Sequence, residues 1–244
     1  PNGRTIQITE RPTPEGGLVI TYHDVTALRR ASAEIESLAF YDPLTNLPNR
    51  RLLMDRMQQV IAASVRSGQY GALLFLDLDH FKTLNDTRGH EVGDMLLRQV
   101  AERLKTCVRR EDTVARLGGD EFVVMLHELS TRSDEAAAYA RRVGEKILRA
   151  LNMPYSLDGI IHHSTPSIGV TLLGGTVQPS VDLLKQADIA MYQVKSRGRN
   201  ALCFFDPQMQ IAISARAQLE ADLQAALSAQ QFVLHYQPQF HLAG

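Results

Sequence analysis

The sequence has no tryptophan, two cysteines in 244 residues, and only 6% aromatic residues. Cys107 and Cys203 lie far apart and outside any Cys-x-x-Cys spacing, which excludes a disulfide framework and a cysteine-built zinc centre. Cys107 falls on the apolar face of an expected helix and reads as a small buried hydrophobe. An excess of either charge is missing too. The 26 Lys and Arg against 27 Asp and Glu leave a net charge of −1, without the basic surplus of a dedicated nucleic-acid binder. No uninterrupted apolar run exceeds five residues, as at 72–76 and 122–126, whereas a membrane-spanning helix needs about 20. No signal-peptide pattern opens the chain. The expectation is a cytoplasmic segment that touches neither membrane nor nucleic acid, while the parent protein could be membrane-anchored through segments upstream.

What is present is an ordinary globular composition, 44% hydrophobic and 22% charged. The length suits one large domain, or one ordinary domain with pieces of others attached. The chain begins at Pro1 and closes at Gly244 after a strand-like run, and both ends read as cut from a longer protein. Residues 4–9 and 18–22 are β-prone runs separated by the turn signal Pro12-Thr-Pro-Glu-Gly-Gly17. Two strands cannot bury a core alone, so they read as the remnant of a domain. Leu28, Ala31, Ile35 and Leu38 then follow at a/d spacing. Two heptads fit a parallel dimer linker or a helix face packed on its own domain.

The central body alternates. Strand-like runs occupy 72–78, 114–117, 122–126, 167–173 and 201–205. Helical spacing joins Met95, Leu96, Val100, Leu104, Cys107 and Val108, and helices are also predicted over 134–151 and 181–196. That order predicts an α/β (α+β) sandwich, a central mixed sheet containing an antiparallel hairpin with helices on both faces. After Asp206-Pro207 a helix over 214–228 and a strand over 232–236 read as the opening of another domain.

Two places concentrate acids. Asp77 and Asp79 close an apolar strand, where a carboxylate must be paired, hydrogen-bonded or bound to a metal. Gly118-Gly119-Asp120-Glu121 has the composition of a tight hairpin tip, which by itself explains the glycines. If the strand ending in Asp77 neighbours that hairpin, three carboxylates converge, the setting in which Mg²⁺ is held together with substrate phosphates.

These residues carry a resemblance. Arg116-Leu-Gly-Gly-Asp-Glu-Phe122 is similar to the GGDEF signature of diguanylate cyclases. Asp42-Pro-Leu-Thr-Asn-Leu-Pro-Asn-Arg50 resembles the opening motif of that family. The run Asp77-Leu-Asp-His-Phe-Lys-Thr-Leu-Asn-Asp-Thr-Arg-Gly-His-Glu-Val-Gly-Asp94 resembles its metal and guanine segment. Ser167-Ile-Gly169 and Ala187-Asp188 with Met191-Tyr192, Lys195 and Gly198-Arg-Asn200 complete the set. The resemblance covers roughly residues 40–206 and implies a nucleotide-cyclase, palm-like fold that condenses two GTP into cyclic di-GMP. It implies Mg²⁺ (or Mn²⁺) on Asp77, the Leu78 carbonyl and Asp120. Asp120 would help deprotonate the attacking 3′-hydroxyl, with Glu121 in support. Asn85 and Asp94 would read guanine, and Lys82, Lys195 and Arg199 would hold the triphosphate. Arg109 and Asp112 match the family's product-inhibition site, where cyclic di-GMP binds; an i,i+3 ion pair would explain the same spacing. A homodimer would bring two half-sites together.

By the same comparison, residues 1–27 resemble the last strands of a PAS sensor, 28–41 a helical linker, 42–206 the cyclase domain and 207–244 the start of an EAL phosphodiesterase domain. The EAL acids are absent from that stretch, so no hydrolase activity is expected from it. The alternative to a working cyclase is a silent module that binds GTP or cyclic di-GMP and regulates an adjoining phosphodiesterase. Pro166, just before a strand, departs from the family pattern and puts local pairing in question.

Overall fold

The computed structural model describes residues 4–12, 16–175, 178–229, 231–233, 235 and 237; among these, the side chains of residues 30, 32–37, 213–214, 216–218 and 220 lie outside the description. The chain divides into two units, residues 1–204 and 205–244.

The first unit opens with an antiparallel ribbon of β1 (Ile6–Pro12) and β2 (Leu18–Asp24). Its apolar residues stay exposed, as two strands have nothing to bury them against. Helix α1 (Thr26–Phe40) follows. Leu28 and Leu38 of the expected seam are 71% and 63% exposed, so these two positions are not packed on their own domain. The Ile35 side chain lies outside the described residues.

A five-stranded sheet forms the centre. Its spatial order is β4 (Thr113–Gly118), β5 (Glu121–Ser130), β3 (Tyr70–Leu78), β8 (Pro166–Leu173), β9 (Leu202–Phe204). The first three pairings are antiparallel and β8/β9 is parallel, so the sheet is mixed. The period-2 alternation of β3 divides the core. Leu74, Leu76 and Leu78 pack in one cluster with residues of α4 (His90–Cys107) and α5 (Ser133–Leu151). Leu73 and Phe75 pack in the other with residues of α2 (Arg50–Ser67) and α6 (Ser180–Ser196). By the same alternation Asp77 belongs to the α6 side. Cys107 is buried, and burial pushes its thiol above the usual range.

The predicted strands and helices of the body are present, and the sequence reading missed four elements: α2, the eight-residue α3 (Phe81–Arg88), and the small hairpin of β6 (Tyr155–Leu157) and β7 (Ile160–His162). In the second unit, α7 (Pro207–Ser228) starts seven residues before the predicted 214, because Asp206 caps it through Gln208 N and Pro207 occupies its first turn. No strand forms at the described residues 232, 233 and 235 of the predicted 232–236; residues 234 and 236 lie outside the description.

Pro166 costs no ladder bond. Asp79 N–H donates to Thr165 O, so residue 166 faces away from β3 toward the β9 side, and β9 begins only opposite Ile168. Gly169 on β8 is a point of close approach. A Cβ there would collide with Ala187 O and Met191 N and sit 2.9 Å from Ala190 C, all backbone of α6. Gly169→Ala is therefore expected to lower stability by about 3 kcal/mol or more, read as a fall in the urea midpoint.

Candidate functional site

The site lies where β3 ends against the hairpin of β4 and β5. The hairpin closes over Gly119 and Asp120, with Gly118 paired to Glu121. Gly118 and Gly119 have φ of 145° and 51°, a left-handed backbone that glycine adopts freely. The register sets Asp77 opposite Glu121. Main-chain groups of neighbouring strand residues point to alternate sides, and residue 79 bonds Thr165 on the β8 side, so the Leu78 carbonyl is turned toward the hairpin. The expected convergence of Asp77, Asp120 and Glu121 is thus produced by strand pairing, with the carbonyl of Leu78 beside them.

The electrostatics agree. Burial pushes the Asp77 carboxyl up to about 6; the Lys195 ammonium opposes this, and the Asp120 and Asp79 charges add to it. Burial also raises Asp120 and Glu121, and the charges of Asp188 and Asp77 push Glu121 further. Asp188 on α6 therefore belongs to the acid cluster, although the sequence reading gave it no role. Lys195 Nζ, in the last turn of α6, lies 2.6 Å from Asp77 Oδ1. The macrodipole favours a cation there as well. Among the described residues no three Asp, Glu, His or Cys side chains form a metal cage on their own. The available donor set is Asp77 and Asp120 with a main-chain carbonyl: hard oxygens on partly buried carboxyls, raised chiefly by burial, that a cation would hold in their charged form. This fits Mg²⁺ or Mn²⁺.

A second network fixes the hairpin. Arg116 Nη1 donates to both oxygens of Asp42 at 2.9 and 3.1 Å, while its Nε and Nη2 donate to Gly119 O at 3.0 and 2.7 Å. Asp42 also accepts from Thr45 N and Oγ1. Burial alone would raise the Asp42 carboxyl, but the bonds from Thr45 and Arg116 outweigh it and hold it below the ordinary 3.8. A lowered acid stabilises the fold above its unfolded pKa and loses that contribution as pH falls through the folded one. Asp42→Asn is expected to cost about 2 kcal/mol at neutral pH, with the gap from wild type closing as denaturation is repeated below about pH 4.

Asn85 sits on α3, half-buried, and its Oδ1 is buried without a hydrogen-bond partner. Gly93 of α4 makes room for it, since a Cβ there would land on Asn85 Oδ1 and sit 3.2 Å from Phe81 Cζ. Asp94, the next residue, is half-buried, and Lys82 is exposed in the first turn of α3. Arg199 is exposed, in a turn beyond α6, with Nε 4.0 Å from Asp79 Oδ1.

Arg109 and Asp112 meet away from the acid cluster, just beyond α4. Asp112 Oδ2 accepts from Arg109 N at 2.9 Å, and the Arg109 guanidinium lies 4.7 Å from the centre of the Tyr139 ring. Among the described residues no ion pair joins the two side chains, so the i,i+3 salt-bridge explanation does not apply. Both line a cavity of about 230 Å³ together with Arg56, Lys105 and Arg110.

The description "Diguanylate cyclase, GGDEF domain" fits residues 39–201, and a PAS fold is matched over residues 1–33. MucR of Pseudomonas aeruginosa, a bifunctional diguanylate cyclase/cyclic di-GMP phosphodiesterase, is 44% identical over 213 residues, covering 87% of this chain and 30% of MucR. NbdA of the same organism, a cyclic di-GMP phosphodiesterase, is 38% identical over 216 residues, 88% of this chain and 27% of NbdA. The chain thus spans less than a third of these two relatives. The solved GGDEF domain of TpbB (YfiN) from Pseudomonas aeruginosa superposes with a TM-score of 0.67 at 33% identity, covering 71% of this chain and 99% of that domain. No helix among the described residues is long and apolar enough to cross a membrane. With its signature on the hairpin, its acids at the exit of the central strand and two-thirds of its length matched, the chain belongs to the GGDEF diguanylate cyclase family.

Proposed function

We propose that residues 42–206 form an active diguanylate cyclase, which joins two GTP molecules into cyclic di-GMP and releases two pyrophosphates. The observation that carries this reading is the β3–β5 register, which sets Asp77 opposite Glu121 beside the two-residue loop bearing Asp120. A degraded signature would keep the register and lack the carboxylates; here Asp77, Asp120 and Glu121 are all present.

Asp77, Asp120 and the Leu78 carbonyl would hold the metal. When bound, Mg²⁺ or Mn²⁺ supplies neutralisation of the charge that builds at the α-phosphate and makes the 3′-hydroxyl more acidic. The chain's own groups do the rest. Asn85 and Asp94 bind the guanine edge; a carboxylate accepts from the N1 and N2 hydrogens, which adenine does not present in that pattern. The unpartnered Asn85 Oδ1 is an acceptor in need of such a donor. Lys82, Lys195 and Arg199 hold the triphosphate, Lys195 exchanging its contact with Asp77 for phosphate oxygens. Asp120, with Glu121 beside it, receives the 3′-hydroxyl proton. The 3′-oxygen then bonds to the α-phosphorus of the second GTP, and the α–β phosphoanhydride bond breaks.

One domain binds one GTP, so two domains must face each other. The exposed Leu28 and Leu38 on α1 support a paired linker that raises the effective concentration of the second half-site. Arg109 and Asp112 would bind cyclic di-GMP as product inhibitor, an Arg fork being suited to phosphates and guanine faces. Residues 207–244 would open an EAL domain without contributing hydrolysis. A second reading, a silent module that binds GTP or cyclic di-GMP and regulates such a domain, draws support from NbdA, a relative named for phosphodiesterase activity. Incubation with GTP and Mg²⁺ followed by chromatography separates the two. Cyclic di-GMP and pyrophosphate in a 1:2 ratio support the cyclase, and GTP binding without product supports the regulatory module.

A further inference from the structure

Asp79 looks, by spacing, like a partner of Asp77 in metal binding. Its surroundings are different in kind. Thr165 Oγ1 donates to Asp79 Oδ2 at 2.6 Å, Ser167 Oγ donates to Oδ1 at 2.8 Å, and the Asn200 N–H donates to Oδ2 at 3.2 Å. Arg199 Nε stands 4.0 Å from Oδ1, and the side chain is 1% exposed. Both oxygens are thus occupied by donors from Thr165 and Ser167, just before and within β8, and from the turn after α6. Asp77, in contrast, faces the end of one long lysine side chain that can swing away.

The turn that Asp79 holds is strained. Residues 198, 199 and 200 have φ of 119°, 64° and 47°, so two consecutive non-glycine residues sit in the left-handed region. Such a backbone persists only where its surroundings over-determine it, and strain of this kind collects at functional sites. Here three contacts do so. Arg199 N–H donates to Val194 O at 3.0 Å, the Asn200 N–H donates to Asp79 Oδ2 at 3.2 Å, and Asn152 Nδ2 donates to Asn200 Oδ1 at 2.9 Å. The result is an exposed Arg199 on a held turn beside Asp79, which lies two residues after the metal-type Asp77 in sequence.

We propose that Asp79 is a positioning residue for triphosphate binding. It locks the turn at residues 198–200, so that the Arg199 guanidinium is preset to receive the phosphates of GTP, and it takes no part in metal ligation. The inference rests on the reading of Arg199 as a phosphate-binding residue. A preset guanidinium binds a polyphosphate without first losing side-chain and backbone freedom, so the gain appears as nucleotide affinity. Thr165 and Ser167 serve the same end, since their hydroxyl donors stabilise the charged carboxylate in the interior.

The test measures binding by calorimetry in Mg²⁺ with two probes: 3′-deoxy-GTP, which lacks the attacking hydroxyl and cannot condense, and guanosine, which lacks phosphates. Asp79→Asn keeps the shape but replaces one acceptor by a donor. It is expected to weaken 3′-deoxy-GTP about tenfold and to leave guanosine within about twofold of wild type. In the Arg199→Ala background the same change should add almost nothing, because the two act through one contact. The Mg²⁺ concentration giving half-maximal binding stays unchanged, whereas a lost metal ligand would raise it. Undiminished 3′-deoxy-GTP affinity, equal loss of both probes, or full additivity with Arg199→Ala overturns the inference. Should Asp79→Asn not fold, Asn152→Ala removes another bond that holds the same turn. A threefold or so weakening of 3′-deoxy-GTP alone supports the inference, and no change overturns it. A wild-type chain that binds neither probe overturns the functional reading, and this inference with it.

Discussion

Replacing Asp120 with asparagine is expected to reduce cyclic di-GMP formation by about a thousandfold or more while the fold survives. The loop that carries Asp120 does not depend on its charge. Gly119 supplies the positive φ, and Arg116 grips the Gly119 carbonyl, not the Asp120 side chain. The carboxylate is instead a cost to the metal-free chain. Burial raises its pKa, so ionising this group costs the folded state more than the unfolded one. A group whose folded pKa is raised above the unfolded value loses stability as pH rises through that interval, so an isosteric amide should leave the thermal midpoint equal or higher when no metal is present. Loss of product with an undiminished midpoint separates chemistry from folding. Retained turnover would remove Asp120 from the mechanism.

Gly93→Ala should do the reverse of what helix propensity suggests. In the interior of α4, alanine is the better helix former by about 0.8–1 kcal/mol. The new Cβ lands on the end of the Asn85 side chain, which can rotate away, and sits near the Phe81 ring edge. The fold therefore holds, and thermal stability changes little. Asn85 must leave its place, however, and with it goes the acceptor whose buried Oδ1 now lacks a partner. GTP affinity is expected to fall about 10- to 100-fold, and the preference for GTP over ATP to shrink by a similar factor. Competition binding of the two nucleotides, with unfolding curves alongside, checks both halves. An unchanged nucleotide preference would mean that Asn85 does not read the base.

The parts of the fold legible in the sequence are those whose period is unbroken. Strand β3 is a continuous apolar run because both its faces are covered, and α4 shows Leu96, Val100 and Leu104 at regular spacing because one face meets the sheet. Helix α2 escaped because its fully buried positions thin out to Leu53, Met57 and Ser64 among arginines and glutamines. Helix α3 is eight residues long, and β6 and β7 have three residues each, too short for a period to declare itself. The strand expected over 232–236 has the composition of a strand, but composition alone does not form one at 232, 233 and 235.

At the site, the acid cluster was legible because it follows from strand exits and a hairpin tip. What distinguishes Asp77 from Asp79 was not. The two have the same residue type at alternate positions of one run, and differ in partners that lie about 90 to 120 residues away in sequence, at Thr165, Ser167 and Asn200. The Arg116 clamp on Asp42 spans 74 residues and was hidden for the same reason. The strained backbone at Arg199 and Asn200 also has no sequence signal, since neither residue is glycine.

The most direct measurement is the rate of cyclic di-GMP formation from GTP and Mg²⁺ over a hundredfold range of protein concentration, with product quantified by chromatography. A cyclase assembled from two facing domains gives a rate that rises as the square of concentration when dilute, becomes linear once the dimer is saturated, and disappears in Asp120→Asn. A chain that binds GTP yet forms no product at any concentration, even when α1 is joined to a dimeric coiled coil, contradicts the proposed activity.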